Sequence, residues 1–137
     1  MVSSQRSGES TVGISGIGYY IPKNTVTSSD MAEWTGIDES VFSEKIGVEI
    51  KHIAGPDEHP AEMGVKAARL AIKNAGISAD EIDIIVFGGL GFYDYNFWSP
   101  AAKIQDGIGA HRAYTFDLRN GCNGGNLGIT VCKELLL

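Results

Sequence analysis

The run Phe116-Asp117-Leu118-Arg119-Asn120-Gly121-Cys122-Asn123-Gly124-Gly125 has the residue types and spacing for nucleophilic chemistry: an apolar strand breaks at glycine, presents a cysteine and opens into a helix. The thiolate is the reactive form of cysteine, and a free thiol populates it to only a few per cent at neutral pH. A helix start favours that anion, through unpaired backbone N–H groups and the positive end of the macrodipole. The same donors can hold the oxyanion of a tetrahedral intermediate. Gly121, Gly124 and Gly125 suit such a turn, since glycine adopts unusual backbone angles and lets a substrate approach closely. A plainer reading stands beside this one: a cysteine at a strand end is often an inert, buried residue.

Composition bounds what surrounds the cysteine. The chain has 137 residues, 43% of them apolar and 20% charged, enough for one domain with a real core. No run of about 18 apolar residues is available to cross a bilayer. The polar start, Met1 to Thr11, lacks the apolar core of a signal peptide, so the cytoplasm is the expected compartment. A net charge of −6 argues against nucleic-acid binding. His52, His59 and His111 are scattered and never pair with cysteine at ligand spacing, so no metal is expected. Cys122 and Cys132 fall in what should be one helix, about 15 Å apart in rise, which is too far for a disulfide.

The elements that must position Cys122 read as α/β. Residues 1–11 look like a mobile tail, and residues 12–137 like the ordered part. Val12 to Ile21 alternates small and apolar residues at period two and is expected to be the first strand, closed by Pro22. Gly13, Gly16 and Gly18 lack the G-x-G-x-x-G order and no helix follows at once, which discounts a dinucleotide site. Ser28, Ser29 and Asp30 offer a cap for a short helix ended by Gly36. Asp38 offers one for Glu39 to Ile46, with Gly47 as its stop. Val48 to Ile53 reads as a strand. Pro60 opens a firmer helix with Ala61, Val65, Ala68 and Ile72 on one face and Gly76 at its end. Ser78 caps a turn before the nearly continuous apolar strand Ile82 to Phe87, as expected where both faces of a parallel sheet are covered. The loop after it, Gly88-Gly89-Leu90-Gly91, lies where open α/β sheets bind ligands. Its aromatic continuation, Phe92 to Trp98, suggests a pocket lining or an interface, with core packing as the alternative. Pro100 starts a helix to about Gly107, and Ala113 to Leu118 leads to Cys122. In the final helix Leu127, Ile129, Val131, Cys132, Leu135 and Leu136 surround the axis, so it should lie between layers, one of which this chain does not supply.

The element order, the segment Lys51-His52-Ile53-Ala54-Gly55-Pro56-Asp57-Glu58, the Lys103-Ile104-Gln105 helix, Gly107-Ile108-Gly109 and the Phe116-Asp117 pair ahead of Cys122 together resemble the N-terminal part of beta-ketoacyl-acyl carrier protein synthase III. The resemblance covers residues 12–137. It implies a thiolase-like layered α/β fold, of which this chain carries the N-terminal half: a mixed, mainly parallel sheet with a buried helix bearing the nucleophile. It also implies a homodimer, with an acyl group carried on Cys122 as a thioester and the Cys122 backbone N–H in the oxyanion hole. An acyl-coenzyme A or acyl carrier protein donor loads the thiolate, and a second substrate, commonly malonyl-acyl carrier protein, decarboxylates and attacks. No resident cofactor is implied. The assisting His and Asn of the family belong to the C-terminal half, which must come from the same or another chain, and without it the piece is expected to be inactive. Leu90 and Phe97 are expected to bind substrate, Phe97 at the acyl pocket, and Phe97→Ala should change acyl-chain preference. Lys45 is expected toward coenzyme A.

Departures from the family pattern point to a specialised member. Val41 and Lys45 stand where typical members place a tryptophan and an arginine, and they lose the stacking surface and the planar fork. Gly121-Cys122-Asn123-Gly124 replaces the usual Ala-Cys-Ala-Gly, a departure expected of a specialised member, for example one that passes the acyl group to an alcohol or amine rather than extending a chain. A 3-hydroxy-3-methylglutaryl-coenzyme A synthase-like enzyme is the second enzymatic reading, although its loop glutamate has no counterpart before Asp94. A non-catalytic partner subunit is the reading from a different class. Lys45, Lys51, Arg69, Arg112 and Arg119 could form a basic entrance for an anionic donor or be solvated surface charge. Asp117 is expected to bond backbone or a neighbouring helix rather than act as a base.

Overall fold

The computed structural model describes residues 2–6, 9–90 and 95–137, with side chains from Val12 onward. The chain divides into two compact units, residues 21–58 and the remainder. At its start β1 (Val2–Arg6) and β2 (Glu9–Gly13) form an antiparallel hairpin, with Val2 opposite Gly13 and Arg6 opposite Glu9.

In the 21–58 unit, β3 (Asn24–Thr27) leads into α1 (Ser28–Thr35) and pairs antiparallel with β4 (Ile50–Ile53). The helix cap is Thr27, one residue before the Ser28–Asp30 group expected to supply it. Thr27 Oγ1 accepts from Asp30 N, and Asp30 Oδ2 accepts from Thr27 N at 2.7 Å, closing a capping box. Val26 and Met31 are buried, and Ser28 is held by its N–H on Glu49 O and its hydroxyl on Glu39 Oε1, both at 2.7 Å. Gly36 and Gly47 end their helical segments at φ 71° and 76°, as read from the sequence.

The other unit holds α2 (Pro60–Ala75), β5 (Ile84–Gly89), α3 (Pro100–Ile108), β6 (Tyr114–Arg119) and α4 (Gly124–Leu136). β5 and β6 are parallel, with Val86 opposite Phe116 and Phe87 opposite Asp117. Among the described residues this is the parallel pairing, and the other two strand pairs are antiparallel. Proline at the first turn and left-handed glycine at the end bound both α2 and α3, as their sequences announce. The two helices approach closely at small residues: a Cβ at Gly64 would stand 2.7 Å from Ile104 Cδ1, and Ala61 and Ala101 are fully buried. Arg69 Nη2 donates to Gly107 O at 2.6 Å across the same contact.

The strand expected over Val12–Ile21 is not formed beyond Gly13. Residues 14–20 instead lie along α2, where a Cβ at Gly18 would run into the Ala67 carbonyl and one at Gly16 would stand 2.7 Å from Ala75 N. Asn74 Nδ2 donates to Ile17 O at 2.8 Å, and the Lys66 ammonium sits 4.2 Å from the centre of the Tyr20 ring. The small-residue alternation serves close contact with a helix rather than a strand ladder. The apolar strand also starts later than expected, at Ile84, and takes Gly88 and Gly89 into its ladder.

Candidate active site

Strand alternation decides what each face of the β5–β6 pair can offer. Val86 Cγ1 lies where a Cβ on Gly128 would meet it at 3.7 Å, so Val86, and Phe116 beside it in register, face α4. Gly88 belongs to the same face, and there the backbones touch: a Cβ at Gly88 would stand 2.6 Å from Gly124 O, and one at Gly124 would stand 2.9 Å from Gly89 N. Only glycine at both positions permits α4 to begin so close to the end of β5. Asp117 points to the opposite face, where its Oδ1 accepts from Ala101 N at 3.0 Å in the first turn of α3. Asp117 is thus a tether between strand and helix, as its sequence position suggested.

Between β6 and α4 the chain makes one tight helical turn, Gly121–Asn123, with Cys122 at its centre. Gly121 takes φ 50°, the left-handed conformation that glycine adopts without strain. Gly124 and Gly125 have no such angle; Gly124 is needed for the close approach to β5, and a Cβ at Gly125 would meet nothing within 4 Å. Cys122 is exposed and free, ahead of the first turn of α4, whose N-cap Asn123 makes no side-chain capping bond. Cys132 is also free and lies farther down α4, half-buried, where burial pushes its thiol up from the ordinary range. It lines a cavity of about 130 Å³ with Ile77, Glu81, Ile82, Asp83, Ile84 and Leu136. The sequence reading of α4 as apolar on all sides meets a helix with Gly124 and Gly128 buried and Ile129 and Leu135 more than half exposed.

Leu90 is exposed at the end of β5, and residues 91–94 of the aromatic loop, with the Asp94 comparison that rests on them, lie outside the described residues. Phe97 is fully exposed and is held at φ 62°, a left-handed conformation that costs a non-glycine residue about 1 kcal/mol or more. Tyr95 and Trp98 pack edge to face at 5.3 Å between ring centres. Asn96, Phe97, Trp98, Ser99 and Arg119 line an open cavity of about 570 Å³. The strand-to-cavity relation of Arg119 is not legible from its place among five cations, but it follows once Asp117 fixes the face. Lys45 stands in the 21–58 unit, exposed, on the wide helical turn Val41–Ile46. His52 Nδ1 donates to Pro22 O at 2.7 Å, and His59 is the N-cap residue of α2. Among the described residues no three His, Cys, Asp or Glu side chains gather as metal donors, and no helix is long and apolar enough to cross a membrane.

A glycine-bound turn that sets a cysteine before a helix on a parallel α/β frame defines the class: the fold is thiolase-like. Its homologues are more particular, being named beta-ketoacyl-[acyl-carrier-protein] synthase III. The protein of that name from Sulfurovum sp. is 31% identical over 120 residues, a match covering 88% of this chain and 35% of the relative. A priming beta-ketosynthase from a polyketide biosynthetic pathway superposes with a TM-score of 0.82 at 29% identity, over 88% of this chain and 36% of that one. The 3-oxoacyl-[acyl-carrier-protein] synthase III of Aquifex aeolicus gives 0.82 at 26% identity, over 88% and 39%. The chain therefore spans a little over a third of the length of the relatives it matches. No family model matches it.

Proposed function

We propose that this chain supplies the nucleophile-bearing half of an acyltransferase or condensing enzyme of fatty-acid or polyketide biosynthesis. One observation carries the reading: Cys122 is exposed on a glycine-bound turn directly before α4, in a chain whose relatives are named for acyl condensation. In the loading step the Cys122 thiolate attacks the carbonyl carbon of an acyl thioester, and the oxyanion of the tetrahedral adduct is held by amides of the turn. Collapse forms the Cys122 thioester and breaks the donor's C–S bond, and the departing thiolate of coenzyme A or carrier protein takes up a proton. In the second step a malonyl thioester loses carbon dioxide, and its α-carbon attacks the Cys122 thioester. A carbon–carbon bond forms and the thiolate is released.

The second step calls for groups beyond the described site, and a completing α/β half, on the same or another chain, would supply them. The exposed Ile129 and Leu135 on α4 support such a cover. The complete enzyme is read as a cytoplasmic homodimer; two free thiols suit a reducing compartment. Leu90 and Phe97 are assigned to the acyl side and Lys45 to the phosphate-bearing end of a coenzyme A donor. Incubating this chain alone with acyl-coenzyme A and malonyl-acyl carrier protein should give no condensation product, and adding the completing half should restore it. Full turnover by the isolated chain would refute the half-enzyme reading.

A further inference from the structure

Ser28 opens α1 but does not cap it, a task that Thr27 performs. Its side chain is nevertheless buried, 7% exposed, where a hydroxyl needs a partner. The hydroxyl donates to Glu39 Oε1 and the Ser28 N–H to Glu49 O, both at 2.7 Å. One residue therefore holds both ends of the segment 39–49, and that segment carries the wide helical turn Val41–Ile46. The turn is tied in near the same two ends: Ser43 Oγ donates to Glu39 O at 3.1 Å, and Val48 N donates to Phe42 O at 2.8 Å. Helical turns of this width are rare and recur at functional sites. Lys45 is exposed on the turn, and among the described residues no carboxylate pairs with its ammonium.

We infer that Ser28 is a positioning residue for the nucleotide end of the donor: by clamping Glu39 and Glu49 it fixes the turn from which Lys45 meets the phosphates of coenzyme A. The inference rests on the acyltransferase reading and on its assignment of Lys45. A lysine is a point charge on a flexible stem, without the rigid fork of arginine, so its contribution depends on how its backbone is held. Glu39, Glu44 and Glu49 lie on the same segment and repel phosphate, so the direction in which Lys45 is presented matters more than on a basic surface. A loosened turn would have to be ordered as the donor binds. That cost falls on affinity for the nucleotide and not on the chemistry at Cys122.

The test uses the intact protein, completing half included, and compares acetyl-coenzyme A with S-acetyl-N-acetylcysteamine, a donor without the nucleotide. Acylation of Cys122, followed by intact mass, gives a maximal rate and a half-saturating concentration for each donor. Ser28→Ala should raise the half-saturating concentration of acetyl-coenzyme A about fivefold and leave its maximal rate within about twofold. Both values for the nucleotide-free donor should stay within about twofold. Glu39→Ala, at the exposed end of the clamp, should reproduce the rise, and Glu39→Gln, which keeps an acceptor, should retain most of the affinity. In the double variant Ser28→Ala, Lys45→Gln the rise should be no greater than in Lys45→Gln alone. An unchanged half-saturating concentration in Ser28→Ala and Glu39→Ala, an equal loss with both donors, or additive effects in the double variant would overturn the role of Ser28 while leaving acyl transfer standing. Absence of any adduct from either donor would remove the acyl-carrier reading and this inference with it.

Discussion

Cys122 and Cys132 are ten positions apart and live in different surroundings: the first is exposed on a turn, the second half-buried against Ile82 and Leu136. Burial disfavours the Cys132 thiolate, so at pH 7.5 iodoacetamide should alkylate Cys122 faster, by about tenfold. Because the Cys132 thiol titrates above the ordinary range, raising the pH should narrow that gap. Peptide mapping after timed alkylation measures it, and equal labelling at pH 7.5 would count against the assignment. At this scale the sequence was legible where chemistry is local. A strand, a glycine, a cysteine and two more glycines announce the turn ahead of α4 without any tertiary knowledge. The place of Arg119 beside Ser99 was not legible in the same way, because it depends on α3 packing against β6.

The position of Cys122 is set by how elements meet. β5 and α4 touch backbone to backbone at Gly88 and Gly124, so Gly88→Ala forces a shift of main chain rather than of a flexible side chain. We expect it to cost about 1–3 kcal/mol in thermal or denaturant unfolding and to slow acylation of Cys122. Gly125→Ala is the matched comparison: its Cβ meets nothing, and in the first turn of α4 it should be neutral or stabilising by up to about 1 kcal/mol. A different prediction concerns α1. Bonds from the Thr27 backbone and hydroxyl hold the Asp30 carboxyl below its usual range. A carboxyl lowered in the folded state adds stability above its unfolded pKa, near pH 4, and loses it as pH falls through the lower folded value. Asp30→Asn should therefore flatten the acid limb of the stability curve below about pH 4, and an unchanged limb would contradict the capping box. Proline and glycine made α2 readable from end to end and fixed the start of α3, whose end falls at Ile108 with Gly109 as its cap rather than at Gly107. The segment 14–20 was misread because alternating small residues fit a strand and a helix contact equally well. β3 escaped notice because Asn24–Thr27 is short and mostly exposed, with Val26 as its buried residue.

Across the whole molecule, a thiolase-like frame spans little more than a third of its relatives' length, and α4 leaves Ile129 and Leu135 open to solvent. Periodicity alone reads α4 as a helix that would call for cover from a second layer, since apolar residues surround its axis. The account stands on acyl transfer through one sulfur, and intact-mass analysis after incubation with acyl-coenzyme A donors, completing half present, tests it most directly. The account predicts a gain of one acyl group, mapped to Cys122, abolished by Cys122→Ala and retained by Cys132→Ser. No adduct across several donors, or an adduct that survives Cys122→Ala, would contradict it.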